Sequence, residues 1–510
     1  MFLNARPRPR RRFLSKNRLD VLFNSFPFFL VFLPLALLAY FQLSKYSLRA
    51  STVFLMAASV AFYCYWDVRY LPLLALSVMG NFTLGRHISR HVERGQSHAA
   101  GNWLILGVAL NLGVLFFFKY FNFFLNNLAA LTGVPNEVAP IALPIGISFF
   151  TFTQIAYLVD SRQGKVREYR PENYGLFVTY FPHLIAGPIL HHKDMMPQFD
   201  QPESHRFTQG RLAVGMLFFT AGLFKKVILA DGVARYVAPV FDLHFDHLTQ
   251  LEAWAGALAY TFQLYFDFSA YSDMAYGLSY MFGIILPINF NSPYRSTSII
   301  DFWRRWHITL STFLRDYLYI PLGGNRRGGA QRYINLMITM LLGGLWHGAN
   351  WTFLVWGGLH GLYLAINHGL RRLLGERQWP GLKVAGALAT FMAVVLGWVF
   401  FRANSIEIAL QVLRAMWHGT YLASAGVAEL GVNRLMNVKA CGGWLVVCAL
   451  VAFCLPNAYQ VLGRGLLRER EAKLGARLGA FVLGASLALC LVLLTIGETR
   501  GASEFLYFNF

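Results

Sequence analysis

The chain has 510 residues, 56% of them hydrophobic and only 14% charged, against about 25% charged in ordinary soluble domains. That balance excludes a soluble globular enzyme and points to a membrane protein. The formal net charge of +20 would suggest nucleic acid in a soluble chain, but here the basic residues fall between apolar windows, where membrane orientation and anionic lipid account for them.

From the amino terminus, the first 19 residues hold seven basic and no acidic side chains. Residues 1–20 read as a basic, disordered extension, and Val21-Leu22-Phe23-Asn24 as the natural beginning of a single membrane domain, 21–510. A start at Val21 also removes a conflict in charge. If the first three apolar windows each cross once, Lys45 and Arg49 share a side with Arg86, Arg90 and Arg94. The positive-inside rule makes that side cytoplasmic and places the amino terminus outside.

A membrane-spanning helix needs about 20 mostly apolar residues. Such windows lie near 26–43, 51–66, 70–85, 102–128, 138–158, 173–190, 211–230, 253–286, 333–368, 383–401, 441–458 and 479–498. They predict an all-α polytopic membrane protein with roughly a dozen passes or part-passes. Gly, Pro and polar residues interrupt 141–146 and 182–188, which predicts broken or re-entrant helices, because irregular backbone survives at membrane depth only inside protein or beside a cavity. The stretches 86–101, 161–172, 191–211, 242–250, 323–332, 371–381, 417–440 and 464–478 read as ordinary loops or surface helices. Cys64, Cys441, Cys448, Cys454 and Cys490 include no CxxC pair, so neither a disulfide frame nor a zinc site is expected.

The unusual region is 260–370, where ionisable residues crowd into apolar sequence. Each is a functional candidate, with structural pairing as the alternative. Asp267 and Asp273 sit within three helical turns of Gln263; bonds to backbone or Arg partners would make them packing elements. In Asp301-Phe302-Trp303-Arg304-Arg305-Trp306-His307, a count of about 100° per residue sets Ile299, Trp303, Trp306, Leu310, Phe313 and Tyr317 on one stripe of an amphipathic interfacial helix. His307 falls at the edge of that stripe and can face inward. Arg304, Arg305 and Arg315 on the other side are candidates to meet phosphate, of membrane lipid or of an acyl donor. Small residues surround His347 in Leu342-Gly343-Gly344-Leu345-Trp346-His347-Gly348-Ala349-Asn350-Trp351. Burial disfavours a charged imidazolium, so His347 is expected to be a neutral imidazole able to take a proton, either as a general base or as part of a packed polar group.

His347 in Leu345-Trp346-His347-Gly348-Ala349-Asn350-Trp351, 40 positions after His307, resembles the membrane-bound O-acyltransferase family. Within it, the likeness is to the bacterial branch with the alginate O-acetylation membrane subunit and the teichoic-acid D-alanylation membrane protein. Leu184-Ile185-Ala186-Gly187-Pro188-Ile189, Tyr265-Phe266-Asp267-Phe268-Ser269 and Tyr319-Ile320-Pro321-Leu322-Gly323-Gly324 add to it. The resemblance implies a ring of roughly eleven transmembrane helices, with re-entrant and interfacial helices around a central funnel. It implies His347 and His307 as catalytic residues, with Asp267, Asp273 and Asn350 as supporting polar groups. No metal is implied, since two histidines lack the third and fourth ligands.

The implied activity is transfer of acetyl from a cytoplasmic donor, acetyl-CoA, toward an exported polysaccharide, with no permanently bound cofactor. The implied setting is the bacterial inner membrane, with a periplasmic SGNH-type acetyltransferase as partner. Glu504-Phe505-Leu506-Tyr507-Phe508-Asn509-Phe510 is similar to a terminal aromatic motif of this branch, which makes Tyr507 a candidate acyl carrier; an interfacial aromatic anchor is the alternative. Other readings are a lipid or protein acyltransferase and, from a different class, an acyl-group or polysaccharide transporter, because broken helices and buried ionisable groups also mark transport pathways.

Overall fold

The computed structural model describes residues 23–166, 170–242, 248–326, 328–374, 380–418, 437–462, 476–501 and 505–506. Within them the regular structure is helical, and no strand occurs. Six stretches among the described residues are long and apolar enough to cross a bilayer: Pro27–Ser44, Leu48–Glu93, Ser97–Thr132, Gln209–Ala234, Gly381–Arg402 and Arg477–Arg500. The basic extension 1–20 and most of the loop 417–440 lie outside the described residues.

Several apolar windows are interrupted, and two others, 51–66 and 70–85, share the stretch Leu48–Glu93. The window 138–158 becomes helical only at Ile147, after a turn in which Gly146 takes φ 72°. Window 173–190 divides into Pro171–Thr179, a short turn Phe181–Leu184, and irregular chain to Leu190. Both breaks match the interruptions expected from Gly and Pro. Window 333–368 does not form one helix. It splits into Gly329–His347 and Trp351–Leu374, with Gly348 extended between them.

The centre of the molecule is the helix Gln250–Met281, opened by a capping box between Thr249 and Glu252. It is buried nearly all round, polar residues included: Thr261, Asp267, Ser269 and Ser279 are as hidden as its aromatics. A helix without a solvent face belongs in the middle of a bundle. Its two ends sit on opposite faces of the protein. At one, Gln250 and Trp254 donate to the carbonyl of Met416, and Arg402 pairs with Asp242. At the other, the Gly283 turn packs on Ser204. On that second face Arg49 pairs with Glu172 at 2.7 Å and Arg162 bonds Ser97. The basic loops after the first and third windows therefore share one face, as the charge pattern requires.

One expectation fails outside the site. The stretch 191–211 is not an ordinary surface loop as far as His205. His191, His192, Met195, Met196, Phe199, Ser204 and His205 are buried. His205 bonds the Phe199 carbonyl and Ser51 Oγ, each at 2.8 Å. A polar composition suggested solvent, but the His205 ring is bonded internally at both nitrogens, which is what permits its burial.

Gly329–His347 and Trp351–Leu374 cross at backbone contact. A Cβ on Gly344 would stand 2.2 Å from the Phe353 carbonyl oxygen and 3.2 Å from Gly357 Cα. Small residues at membrane helix crossings allow this approach. Gly344→Ala must separate the two helices and is expected to lower stability by about 1–3 kcal/mol, the range for overpacking. Gly358→Ala, whose Cβ meets only Leu341 Cδ2 at 3.6 Å, is expected to leave stability unchanged. Melting of the two purified variants in detergent checks the contrast.

Candidate active site

His347 is the last residue of its helix. The chain leaves helical geometry at Gly348, φ −172° and ψ 153°, and a Cβ there would lie 2.2 Å from the Phe353 ring. A larger residue therefore cannot follow His347 without displacing Phe353. The imidazole, 3% exposed, is boxed by Trp346, Phe401 and Trp356, with ring centroids at 4.9, 5.0 and 5.1 Å. Asn350 closes the break: its Oδ1 accepts from Thr352 N–H at 3.1 Å, capping the next helix, while its Nδ2 donates to the Asn404 carbonyl at 2.9 Å. It supports the backbone beside His347.

His307 arrives by a different route from the one expected. Residues 299–317 do not form one amphipathic helix. Ile299–Trp303 and Ile308–Leu314 are separate, and His307 between them takes φ 40°, ψ 56°. The cause is a second strip of chain: Asn291 N–H bonds the Arg305 carbonyl and Ile308 N–H bonds the Asn289 carbonyl, each at 2.9 Å. A left-handed backbone at a non-glycine residue is uncommon and clusters at functional sites. Ile299, Trp306, Leu310 and Phe313 of the expected stripe are buried, as is His307, whereas Trp303 and Tyr317 are only partly so.

The Asn289 side chain fixes the His307 tautomer. Its Oδ1 receives the Thr309 amide at 3.3 Å and the Thr309 hydroxyl at 2.9 Å, so it is an acceptor and cannot donate. His307 Nδ1, 3.1 Å from the same oxygen, must then carry the proton. In the neutral ring this leaves the lone pair on Nε2.

The two histidines meet across one indole. The Trp346 ring lies 6.2 Å from His307 and 4.9 Å from His347. Phe268 meets His307 edge-to-face at 4.7 Å. Imidazoles enclosed by aromatic rings, as these two are, suit proton transfer to and from a bound hydroxyl.

The other expected site residues lie apart. Asp267 and Asp273 pair with lysines, not arginines: Lys226 Nζ is 2.8 Å from Asp267, and Lys225 Nζ is 2.6 Å from Asp273. Asp267 also accepts the Leu506 amide at 2.9 Å, so it holds the carboxyl-terminal segment. Arg305 is paired with Asp301 at 3.0 Å and Arg315 with Asp316 at 2.7 Å; Arg304 is exposed. Tyr507 lies outside the described residues. A cavity of about 640 Å³ sits elsewhere, lined by Phe224, Tyr265, Val451 and Phe481 with Lys225 and Asn457 among its polar members, and its lining includes neither histidine.

Asn289, Thr309, Lys225 and Lys226 were not singled out from sequence. The two lysines had a signal, since they stand inside the apolar window 211–230. Asn289 had none, because its role depends on a fold-back between strips whose bonded residues are 14, 18 and 19 positions apart in the chain.

The chain matches the profile of the membrane-bound O-acyltransferase family over residues 26–410. It is 39% identical to the peptidoglycan O-acetyltransferase of Helicobacter pylori, over 96% of this chain and 98% of that protein. It is 44% identical to the probable alginate O-acetylase AlgI of Pseudomonas aeruginosa, over 82% of this chain and 79% of that one. A more distant likeness, 27% identical over 50% of this chain and 68% of the other, is to the teichoic acid D-alanyltransferase of Streptococcus thermophilus. With a polytopic helical fold and two buried histidines joined through Trp346, the chain belongs to the membrane-bound O-acyltransferase family.

Proposed function

We propose that the chain is an O-acetyltransferase of the bacterial inner membrane, moving acetyl groups from acetyl-CoA in the cytoplasm toward an exported polysaccharide or cell-wall polymer. The observation that carries the chemistry is the buried pair His307 and His347, built around Trp346 at two breaks in helix. Supporting the substrate class are the names of the relatives matched over four-fifths or more of this chain, which act on peptidoglycan and, as probable enzymes, on alginate. The face carrying Lys45, Arg49, Arg90, Arg94 and Arg162 is the cytoplasmic one by the positive-inside rule.

In this reading a hydroxyl is positioned at His347 Nε2 or Nδ1 and loses its proton as its oxygen attacks the thioester carbonyl. The carbon–sulfur bond breaks, the thiolate leaves, and the proton held by the imidazole neutralises it. Tyr507 is the first acceptor, and its acetyl ester is then passed to a periplasmic SGNH-type transferase that esterifies the polymer. The anchoring of Leu506 to Asp267 supports this, because Asp267 is the neighbour of Phe268, which touches His307.

Tyr507→Phe tests the relay. It is expected to abolish acetyl esters on the polymer in cells while the protein inserts at the normal level. Mass spectrometry of the carboxyl-terminal peptide from wild-type protein incubated with acetyl-CoA should find the added acetyl on Tyr507. Normal polymer acetylation by the Phe variant would refute the relay, leaving the polymer hydroxyl as direct acceptor.

A further inference from the structure

The helix that ends on His347 leaves the carbonyls of its last turn without intrahelical partners, as every helix does. The usual remedy is a left-handed residue after the helix, whose amide folds back on those carbonyls. Here Gly348 is extended, so that closure is absent. Two side chains from a distant element replace it. Lys119 Nζ donates to the Trp346 carbonyl at 2.5 Å, and Tyr120 Oη donates to the Leu345 carbonyl at 2.9 Å.

These consecutive residues end a π-helical turn, Phe116–Tyr120, inserted in the continuous helix Ser97–Thr132. Such turns inside α-helices occur often at functional sites, and the altered register here turns both side chains on the same neighbour. The ammonium is also tied to Ser148 Oγ at 3.1 Å and lies 5.8 Å from the Trp346 ring centroid. Phe149 and Phe152 also pack on that indole, at 5.4 and 5.3 Å between ring centroids. A lysine inside a membrane span is costly. At a helix carboxyl end its N–H groups meet carbonyls that the helix leaves without partners, at the negative end of the helix dipole.

We propose that Lys119 and Tyr120 are positioning residues for His347, a two-point clamp that sets the end of its helix and hence the direction of the imidazole. This rests on the reading of His347 as the base. Catalytic groups must be held within about 0.5 Å of their working geometry, and misplacement by about 1 Å costs on the order of 10²-fold in rate. The clamp bonds main-chain carbonyls of the helix that carries His347, so its loss is expected to act on kcat and to leave KM for the donor near its normal value.

The experiment uses full-length protein purified in detergent and turnover of radiolabelled acetyl-CoA. Lys119→Met is expected to lower kcat about 10- to 100-fold with KM changed by less than about twofold, and Lys119→Arg, which can still reach a carbonyl, is expected to recover most of the loss. Wild-type kcat in Lys119→Met, or a change in KM alone, overturns the clamp. Should Lys119→Met fail to accumulate, Tyr120→Phe decides, since it removes one hydroxyl and no volume: a several-fold fall in kcat supports the clamp, and wild-type kcat overturns it. His347→Ala is measured alongside. If it retains turnover, the reading of His347 falls; if it is inactive while the clamp variants behave as wild type, the clamp alone falls.

Discussion

His347→Ala is expected to yield an inserted protein, monodisperse in detergent, whose transfer of acetyl falls by about 10²–10⁴-fold, the contribution of a positioned general base. The fold should survive because the aromatic box around the imidazole is itself anchored: Trp356 stacks on Trp398, and Phe401 meets both Trp356 and Phe353. His347→Gln keeps more of the volume and is expected to be as inactive, since an amide is no base at neutral pH. His307→Asn should be milder. Asparagine can still donate toward Asn289 and preserve the break at 304–307, but it supplies no basic lone pair where Nε2 stood. The measurement is acetyl ester content of the exported polymer, paired with membrane abundance of each variant. If His347→Ala keeps more than about a tenth of wild-type activity, the general-base assignment is wrong and the histidine is a packing element.

What the sequence revealed divides along a physical line. Apolar windows and the Pro and Gly that interrupt them are local properties, so the helical membrane fold and the breaks near Gly146 and Pro182 were legible. His347 was visible as an ionisable residue in apolar sequence. Its exact setting was not, because the window 333–368 has no proline to mark a break; the helix stops where Gly348 must admit the Phe353 ring. The periodicity around His307 misled for a related reason. A stripe at 100° intervals describes a helix only if the backbone bonds to itself, and here Asn289 and Asn291 take those bonds. Asp267 and Asp273 were rightly suspected of pairing. Their lysine partners lie 41 and 48 positions earlier, a separation no local pattern encodes.

Asp267→Ala is expected to be more destabilising than Gly344→Ala. Asp267 and Lys226 are 2% and 1% exposed, and removing one partner of a buried ion pair costs about 3–5 kcal/mol because the other charge is left without compensation. Asp231, 3.0 Å from Lys226 and 18% exposed, offsets part of this. The same carboxylate also holds the Leu506 amide, and Phe505 sits between Lys226 Nζ, 4.9 Å from its ring centroid, and Tyr271 at 5.2 Å. Stability and anchoring can therefore be separated. The double variant Lys226→Met/Asp267→Leu removes both charges at similar volume, and such replacements are often neutral or stabilising. Its melting temperature should return toward wild type, while the Leu506 amide stays unpaired and Phe505 loses its cation. Polymer acetylation should then remain low in a stable protein, and a protease site placed after Phe510 should be cut faster than in wild type. Wild-type acetylation by the stable double variant would show that the anchor at Asp267 serves packing alone; low acetylation with a normal melting temperature makes the pair a dock for the segment that carries Tyr507.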